Sequence, residues 1–280
     1  MEAMENNRID ETKLSALLKN CGFGHPLFYQ ELTDSTNLEI CRARQDGMGE
    51  GTAALAEAQT AGRGRRGRSW ASPPGENLYF SLLLTPKLDP SRASMVTLLM
   101  AMAVADGVQS FASDVKIKWP NDVVINGKKI CGILTELRFE PGGYYVVIGT
   151  GINVNQMEFP EEIAATATSL KKERLLAAAE ANVAAWGIDR EALLAAVLKS
   201  FECYYKKFCA DGDLSGLRME YEGMLVNRNA HVRVLDPKGE WEGLALGIND
   251  TGELLVQHTD GTLEAVYAGE VSVRGIYGYV

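Results

Sequence analysis

Along this chain, stretches whose apolar residues recur at every second position alternate with stretches at helical spacing. Residues 13–20 predict a short helix. Residues 35–44 predict a second, with Leu38, Ile40 and Cys41 following the N-cap candidates Asp34 and Ser35. Residues 52–58 and 77–84 read as strands on either side of a polar loop, and 91–111 as a long, deeply packed helix carrying Leu98, Leu99, Met102 and Val108. Lys116 and Lys118 alternate with Val115, Ile117 and Trp119 until Pro120 breaks the ladder. Asn126-Gly127, set between two apolar runs, predicts a two-residue hairpin. Residues 144–149 form another strand, which 150–155 carry toward a polar end. Helices follow over 171–185 and 189–211, separated by a break at Trp186-Gly187, and a short one covers 213–223. From about residue 225 the pattern changes to short strands over 232–235, 243–248, 253–258 and 263–273, split by Gly- and Asp-rich turns, which predicts a small antiparallel barrel. The expected division is an N-terminal extension (1–24), a large domain (25–224) and a small one (225–280).

Composition narrows the class. The 280 residues are 46% hydrophobic with a net charge of −9, enough for a sizeable core and unfavourable for general binding to polyanions. The opening residues are polar and acidic, with no apolar core of a secretory signal, and the apolar run at 95–108 is short and interrupted by Asp106 and Gly107. Five scattered cysteines without a CxxC pair and three distant histidines predict a reduced, cytoplasmic protein with no structural zinc.

Against that acidic background, residues 59–70 invert the sign. Arg63, Arg65, Arg66 and Arg68 are interleaved with Gly62, Gly64 and Gly67, and no acidic residue occurs from Ala58 through Gly75. Such a stretch makes a poor helix or strand. It suits a mobile loop whose backbone N–H groups and guanidinium forks order on a phosphate or carboxylate. Gly62-x-Gly64-x-x-Gly67 matches the dinucleotide fingerprint literally, but Ser72-Pro73-Pro74-Gly75 follows where a helix must open. No Gly-Lys-Ser/Thr of a P-loop is present. An Arg/Gly segment for nucleic acid is disfavoured by the flanking apolar runs and the acidic chain. A second candidate constellation lies at the 126–127 hairpin. Lys129 opens a strand beside Gly132, and Lys118-Trp119-Pro120-Asn121-Asp122 offers an amine, an amide and a carboxylate at one bend. Asn153 and Asn155 are further hydrogen-bonding candidates, with loop capping as the alternative.

Taken together, Gln59-x-Ala61-Gly62-Arg63-Gly64-Arg65-Arg66-Gly67-Arg68, Lys118-Trp119-Pro120-Asn121-Asp122, Lys129-x-x-Gly132-Ile133-Leu134, Gly149-x-Gly151-Ile152-Asn153 and Asp34-Ser35-Thr36-Asn37 resemble the biotin protein ligases in order and spacing. The resemblance runs from about Phe28 onward. It implies an α+β fold: a mixed, largely antiparallel sheet flanked by helices, of the class II synthetase-like biotin/lipoate ligase type, with a small C-terminal SH3-like β-barrel. It also implies conversion of biotin and ATP to biotinyl-5′-AMP with Mg²⁺, then transfer of biotin to a lysine of a biotin carboxyl carrier domain. By matching positions, Ser35, Thr36, Asn37 and Gln59 would hold biotin's ureido end, and Arg63, Gly64 and Arg65 would close over the adenylate. Lys129, beside Gly132, would lie between the carboxylate and the α-phosphate. Arg68, Trp70, Lys118, Asn121, Asp122 and Asn153 would line the nucleotide side, with Trp70 stacking on adenine and Asp122 helping to place Mg²⁺. The stretch ahead of His25 is too short for the winged helix of the family's DNA-binding members, so the resemblance is to the monofunctional type, monomer or homodimer, with no specific DNA binding and no membrane. The rival readings are a lipoate or octanoate ligase of the same fold, which lacks this Arg/Gly loop, and a nucleic-acid-binding regulator.

Overall fold

The computed structural model describes residues 8–181, 187–269, 271–275 and 279–280. After α1 (Glu11–Leu18) come β1 (Leu27–Thr33), α2 (Thr36–Gln45), β2 (Ala53–Gln59), β3 (Leu78–Leu84) and α3 (Val96–Gln109). Four strands follow: β4 (Val115–Lys118), β5 (Asp122–Ile125), β6 (Lys128–Glu140) and β7 (Gly143–Ile152). Then come α4 (Glu161–Ala164), α5 (Leu170–Ala181), α6 (Arg190–Asp211) and α7 (Arg218–Met224). These seven strands form one sheet in the order β1-β2-β3-β7-β6-β5-β4, in which only β1 and β2 run parallel. This is the mixed, largely antiparallel sheet expected. The β5–β6 turn has Asn126 at φ 49° and Gly127 at φ 73°, the left-handed pair that a two-residue hairpin needs. The end of the helix predicted over 171–185, and Trp186 of the predicted break, lie outside the described residues, as do 1–7.

The apolar stretch at 91–111 is not one helix. Asp89 accepts a hydrogen bond from Ser91 N, and a 3₁₀ segment, Pro90–Met95, precedes α3. Pro90 is tolerated there because the first N–H groups of a helix have no partner inside it. Pro90–Gln109 has the length and apolarity of a membrane span, but 78% of its apolar window is buried in the fold. It packs between the large sheet and α6 as the central core helix.

The second sheet contains β8 (Ala230–Asp236), β9 (Gly239–Ile248), β10 (Leu254–Gln257), β11 (Leu263–Val266) and β12 (Ser272–Gly275), in the order β11-β10-β9-β8-β12. Among the described residues it is an open SH3-like sheet, with no pairing between β11 and β12. The single strand expected over 263–273 is two. Between them the carbonyls of Ala268, Gly269 and Val271 turn toward the guanidinium of Arg65 instead of a neighbouring strand. The small sheet docks at the β4 end of the large one. Trp119 N donates to Asn227 Oδ1 (2.9 Å) and Trp119 Nε1 to Gly252 O (3.0 Å), placing the aromatic anchor of the Lys-Trp-Pro-Asn-Asp bend at the seam.

Candidate functional site

The N-terminus of α2 forms one wall of the site. Ser35 occupies the N-cap position, but its hydroxyl makes no capping bond. The cap comes instead from the end of β2, where Gln59 Oε1 accepts from Thr36 N (2.9 Å) and Thr36 Oγ1 (3.3 Å). The expectation of a local Asp or Ser cap is therefore corrected. Once strand pairing brings Gln59 over the helix end, its longer side chain satisfies the orphan N–H. Asn37 is buried and fully engaged, donating to Glu136 Oε2 (2.8 Å) and accepting from Ser81 Oγ (2.6 Å).

The floor is bare backbone. A Cβ on Gly151 would stand 2.5 Å from the indole of Trp70, one on Gly132 2.6 Å from the same ring, and one on Gly149 would collide with the amide of Asn37. Trp70 therefore lies flat on two strands that carry no side chain there. The Lys129 ammonium is 5.3 Å from its ring centroid.

The Arg/Gly loop is structured. Gly64 N donates to Arg68 O (2.7 Å) and Trp70 N to Gly62 O (2.9 Å), and Arg65–Gly67 makes a short 3₁₀ turn with Arg66 at φ 58°. A single turn is all that three glycines permit. Arg65 is half-buried; Nη1 donates to Asn121 Oδ1 (2.9 Å) and Nη2 to the carbonyls of Ala268, Gly269 and Val271 between β11 and β12. In this structure, then, its partners are protein groups and not an anion. Arg63 pairs with Glu136 at 3.2 Å.

Charges meet at the β4–β6 end. Lys129 Nζ lies 2.6 Å from Asp122 Oδ1, and Asp122 Oδ2 accepts from the hydroxyl of Tyr279. Burial alone would raise the Asp122 carboxyl, but the Lys129 and Lys118 ammoniums hold it below the usual carboxylate range. Burial pushes Lys118 down to about 8, although Asp122 opposes the shift. Lys118 also faces the ring of Tyr279 at 4.3 Å. Among the described residues no three His, Cys, Asp or Glu side chains cluster as metal ligands; Asp122 Oδ2 accepts from Tyr279, while Oδ1 is paired with the Lys129 ammonium at 2.6 Å without an aligned hydrogen bond. Asn153 lines the same side while donating to Thr168 O (3.0 Å). Asn155 is instead a loop brace, bonded to Ile188.

Two adjoining cavities result. The smaller, about 60 Å³, is bounded by Ser35, Thr36, Asn37, Gln59, Arg63 and Gly132. The larger, about 750 Å³, takes in Arg68, Lys118, Asp122 and Asn153. Gly64, Arg65, Trp70, Asn121 and Lys129 line both, so the residues the resemblance assigns to biotin and nucleotide reach one cavity or the other, whereas Asn155 reaches neither. Two polar groups on the small cavity, Trp70 Nε1 and Thr150 Oγ1, are buried without a protein hydrogen-bond partner. Sequence reasoning missed Thr150, although it lies inside the Gly149-x-Gly151 motif, and missed Tyr279, for which no local signal exists.

The chain matches two family models, the biotin/lipoate A/B protein ligase family over residues 29–153 and the biotin protein ligase C-terminal domain over 229–274. It is 34% identical to the bifunctional ligase/repressor BirA of Bacillus spizizenii over 270 residues, covering 95% of this chain and 79% of that one. It is 32% identical to the biotin–[acetyl-CoA-carboxylase] ligase of Mycobacterium tuberculosis over 272 residues, 94% and 95% of the two chains. Among solved structures, the biotin protein ligase of Aquifex aeolicus in complex with biotin and ATP superposes with a TM-score of 0.73 at 31% identity, covering 89% of this chain and 98% of that one.

Proposed function

The chain belongs to the biotin protein ligases, within the biotin/lipoate A/B protein ligase family, and from this premise we infer that it joins biotin to ATP as biotinyl-5′-AMP and then transfers biotin to a lysine of a biotin carboxyl carrier domain. The partner class is the carrier of a biotin-dependent carboxylase, as the names of its relatives imply. The observation that carries the site assignment is the position of Lys129, the one ammonium lining both cavities. In the first step a carboxylate oxygen of biotin attacks the α-phosphorus, and pyrophosphate leaves with the bonding electrons. Two anions must approach, so a fixed cation at the junction acts where negative charge accumulates. In the second step the acceptor lysine's amine attacks the acyl carbon, AMP departs and the amine loses its proton.

Biotin's ureido ring lies in the small cavity, against Ser35, Thr36, Asn37, Gln59 and the orphaned Thr150 hydroxyl. That polar end suits a ureido group better than the apolar tail of a lipoyl or octanoyl substrate. ATP lies in the large cavity against Arg68, Lys118, Asn121 and Asn153, with Trp70 at the boundary to meet the base or the biotin chain. Mg²⁺ enters as part of Mg·ATP, held chiefly by its phosphates, and Asp122 orients Lys129 instead of holding the ion. Arg63, Gly64 and Arg65 close over the adenylate. We place the protein in the cytoplasm, where its free thiols stay reduced, and propose a large unit at 25–224, a small one at 225–280, no specific DNA binding and no membrane association.

The purified protein mixed with biotin and Mg·ATP should yield biotinyl-AMP by mass spectrometry. Lys129→Ala should cut single-turnover adenylate formation by at least ~10²-fold while the fold survives. Near-wild-type synthesis by that variant would remove Lys129 from the chemical step.

A further inference from the structure

Residues 279 and 280 lie against the large sheet. Val280 packs beside Gly127 of the β5–β6 hairpin, and Tyr279 enters the wall of the large cavity. Its hydroxyl donates to Asp122 Oδ2, while the other oxygen of that carboxylate meets Lys129 Nζ at 2.6 Å. Its ring lies under the Lys118 ammonium at 4.3 Å. A carboxylate held at one oxygen can still swing about its last torsion, whereas one held at both fixes the direction of its partner.

We propose that Tyr279 is a positioning residue for adenylate formation, its hydroxyl fixing the Asp122 carboxylate that orients Lys129 and its ring walling the nucleotide cavity beside Lys118. The proposal rests on the biotin-activating reading above. It makes Tyr279 part of the reaction centre, so the C-terminal part of the chain completes the site with a side chain as well as with the carbonyls that hold Arg65.

The test separates hydroxyl from ring. Tyr279→Phe should lower kcat for adenylate formation about tenfold, the expected loss for a hydrogen bond to a charged group, with KM for ATP within roughly twofold of wild type. Tyr279→Ala should lose a similar factor in kcat and also raise KM for ATP several-fold. In a background of Asp122→Asn, Tyr279→Phe should cost almost nothing more, because the two groups act through one another. An unchanged kcat for Tyr279→Phe would overturn the proposal, as would full additivity with Asp122→Asn, a change confined to KM, or a Tyr279→Phe protein that fails to fold. A wild-type protein that makes no biotinyl-AMP would sink the underlying reading, and the proposal with it.

Discussion

At the scale of single residues, the site is a cluster of cations around one buried carboxylate. Lys118 loses its proton near pH 8, chiefly because burial disfavours the charged form. An unfolded chain would keep that proton to about 10.4, so between these values the folded state binds fewer protons. Lys118 therefore opposes folding at neutral pH, and that cost is relieved as pH rises through 8 toward the unfolded value. Its function runs the other way, since only the ammonium can meet a triphosphate. Measured without acceptor protein, kcat/KM for ATP should fall as pH rises through about 8, and Lys118→Arg should carry that fall to higher pH. An identical profile in the arginine variant would assign the titration to another group. These local facts were legible in sequence only in part. The Lys-Trp-Pro-Asn-Asp run put Lys118 and Asp122 at one bend. That Asp122 would be held by Tyr279 was not legible, because 157 residues separate them and no pattern in the run 271–280 distinguishes a site residue from a tail.

At the scale of elements, most of the strands and the 126–127 hairpin followed from apolar runs and turn chemistry, but β1 was not expected, because its burial does not alternate and its pairing with β2 is a tertiary contact. The errors came where tertiary contacts overrule local preference. Gln59 caps α2 in place of Ser35, and Arg65 draws the carbonyls of Ala268, Gly269 and Val271 out of what alternation reads as one strand. The Arg/Gly loop shows both sides of this. Its composition announced a cationic clamp, while its latch onto the second sheet depends on residues some 200 positions away. Arg66 and Arg68 are exposed beside the held Arg63 and Arg65, and an anion would offset the repulsion within this cluster, so hydrogen exchange over residues 60–70 should slow on binding biotinyl-AMP. Equal protection in free and bound protein would make the loop a fixed feature. Retention of the adenylate is a task distinct from its synthesis, and Arg65 on the loop is placed for retention. Arg65→Gly should still make biotinyl-AMP but release it roughly 10- to 100-fold faster, the worth of one charge-assisted hydrogen bond. Serum albumin added with biotin and ATP should then become biotinylated. Albumin labelled no more than with wild type, with synthesis intact, would relieve Arg65 of that role.

At the scale of the whole molecule, a buried ion pair ties three regions together. Arg190 at the start of α6 grips Glu57 of β2 through both carboxylate oxygens (2.7 and 3.1 Å) and donates to Asn77 O (2.9 Å). Glu57 also accepts from Tyr29 of β1 and from Ile9 N ahead of α1. Removing one partner leaves a buried charge uncompensated, so Arg190→Ala should lower stability by ~3–5 kcal/mol in urea unfolding. A loss below about 1 kcal/mol would show that water or a rearranged neighbour replaces the guanidinium. Gly149 has a consequence of another kind. Its α-carbon faces an Asn37 amide that Ser81 and Glu136 hold in place, so even one added methyl has nowhere to go. In a lineage that lives by this reaction, no missense change in that codon is mild. Among descendants that keep the activity, the position should stay closed to drift.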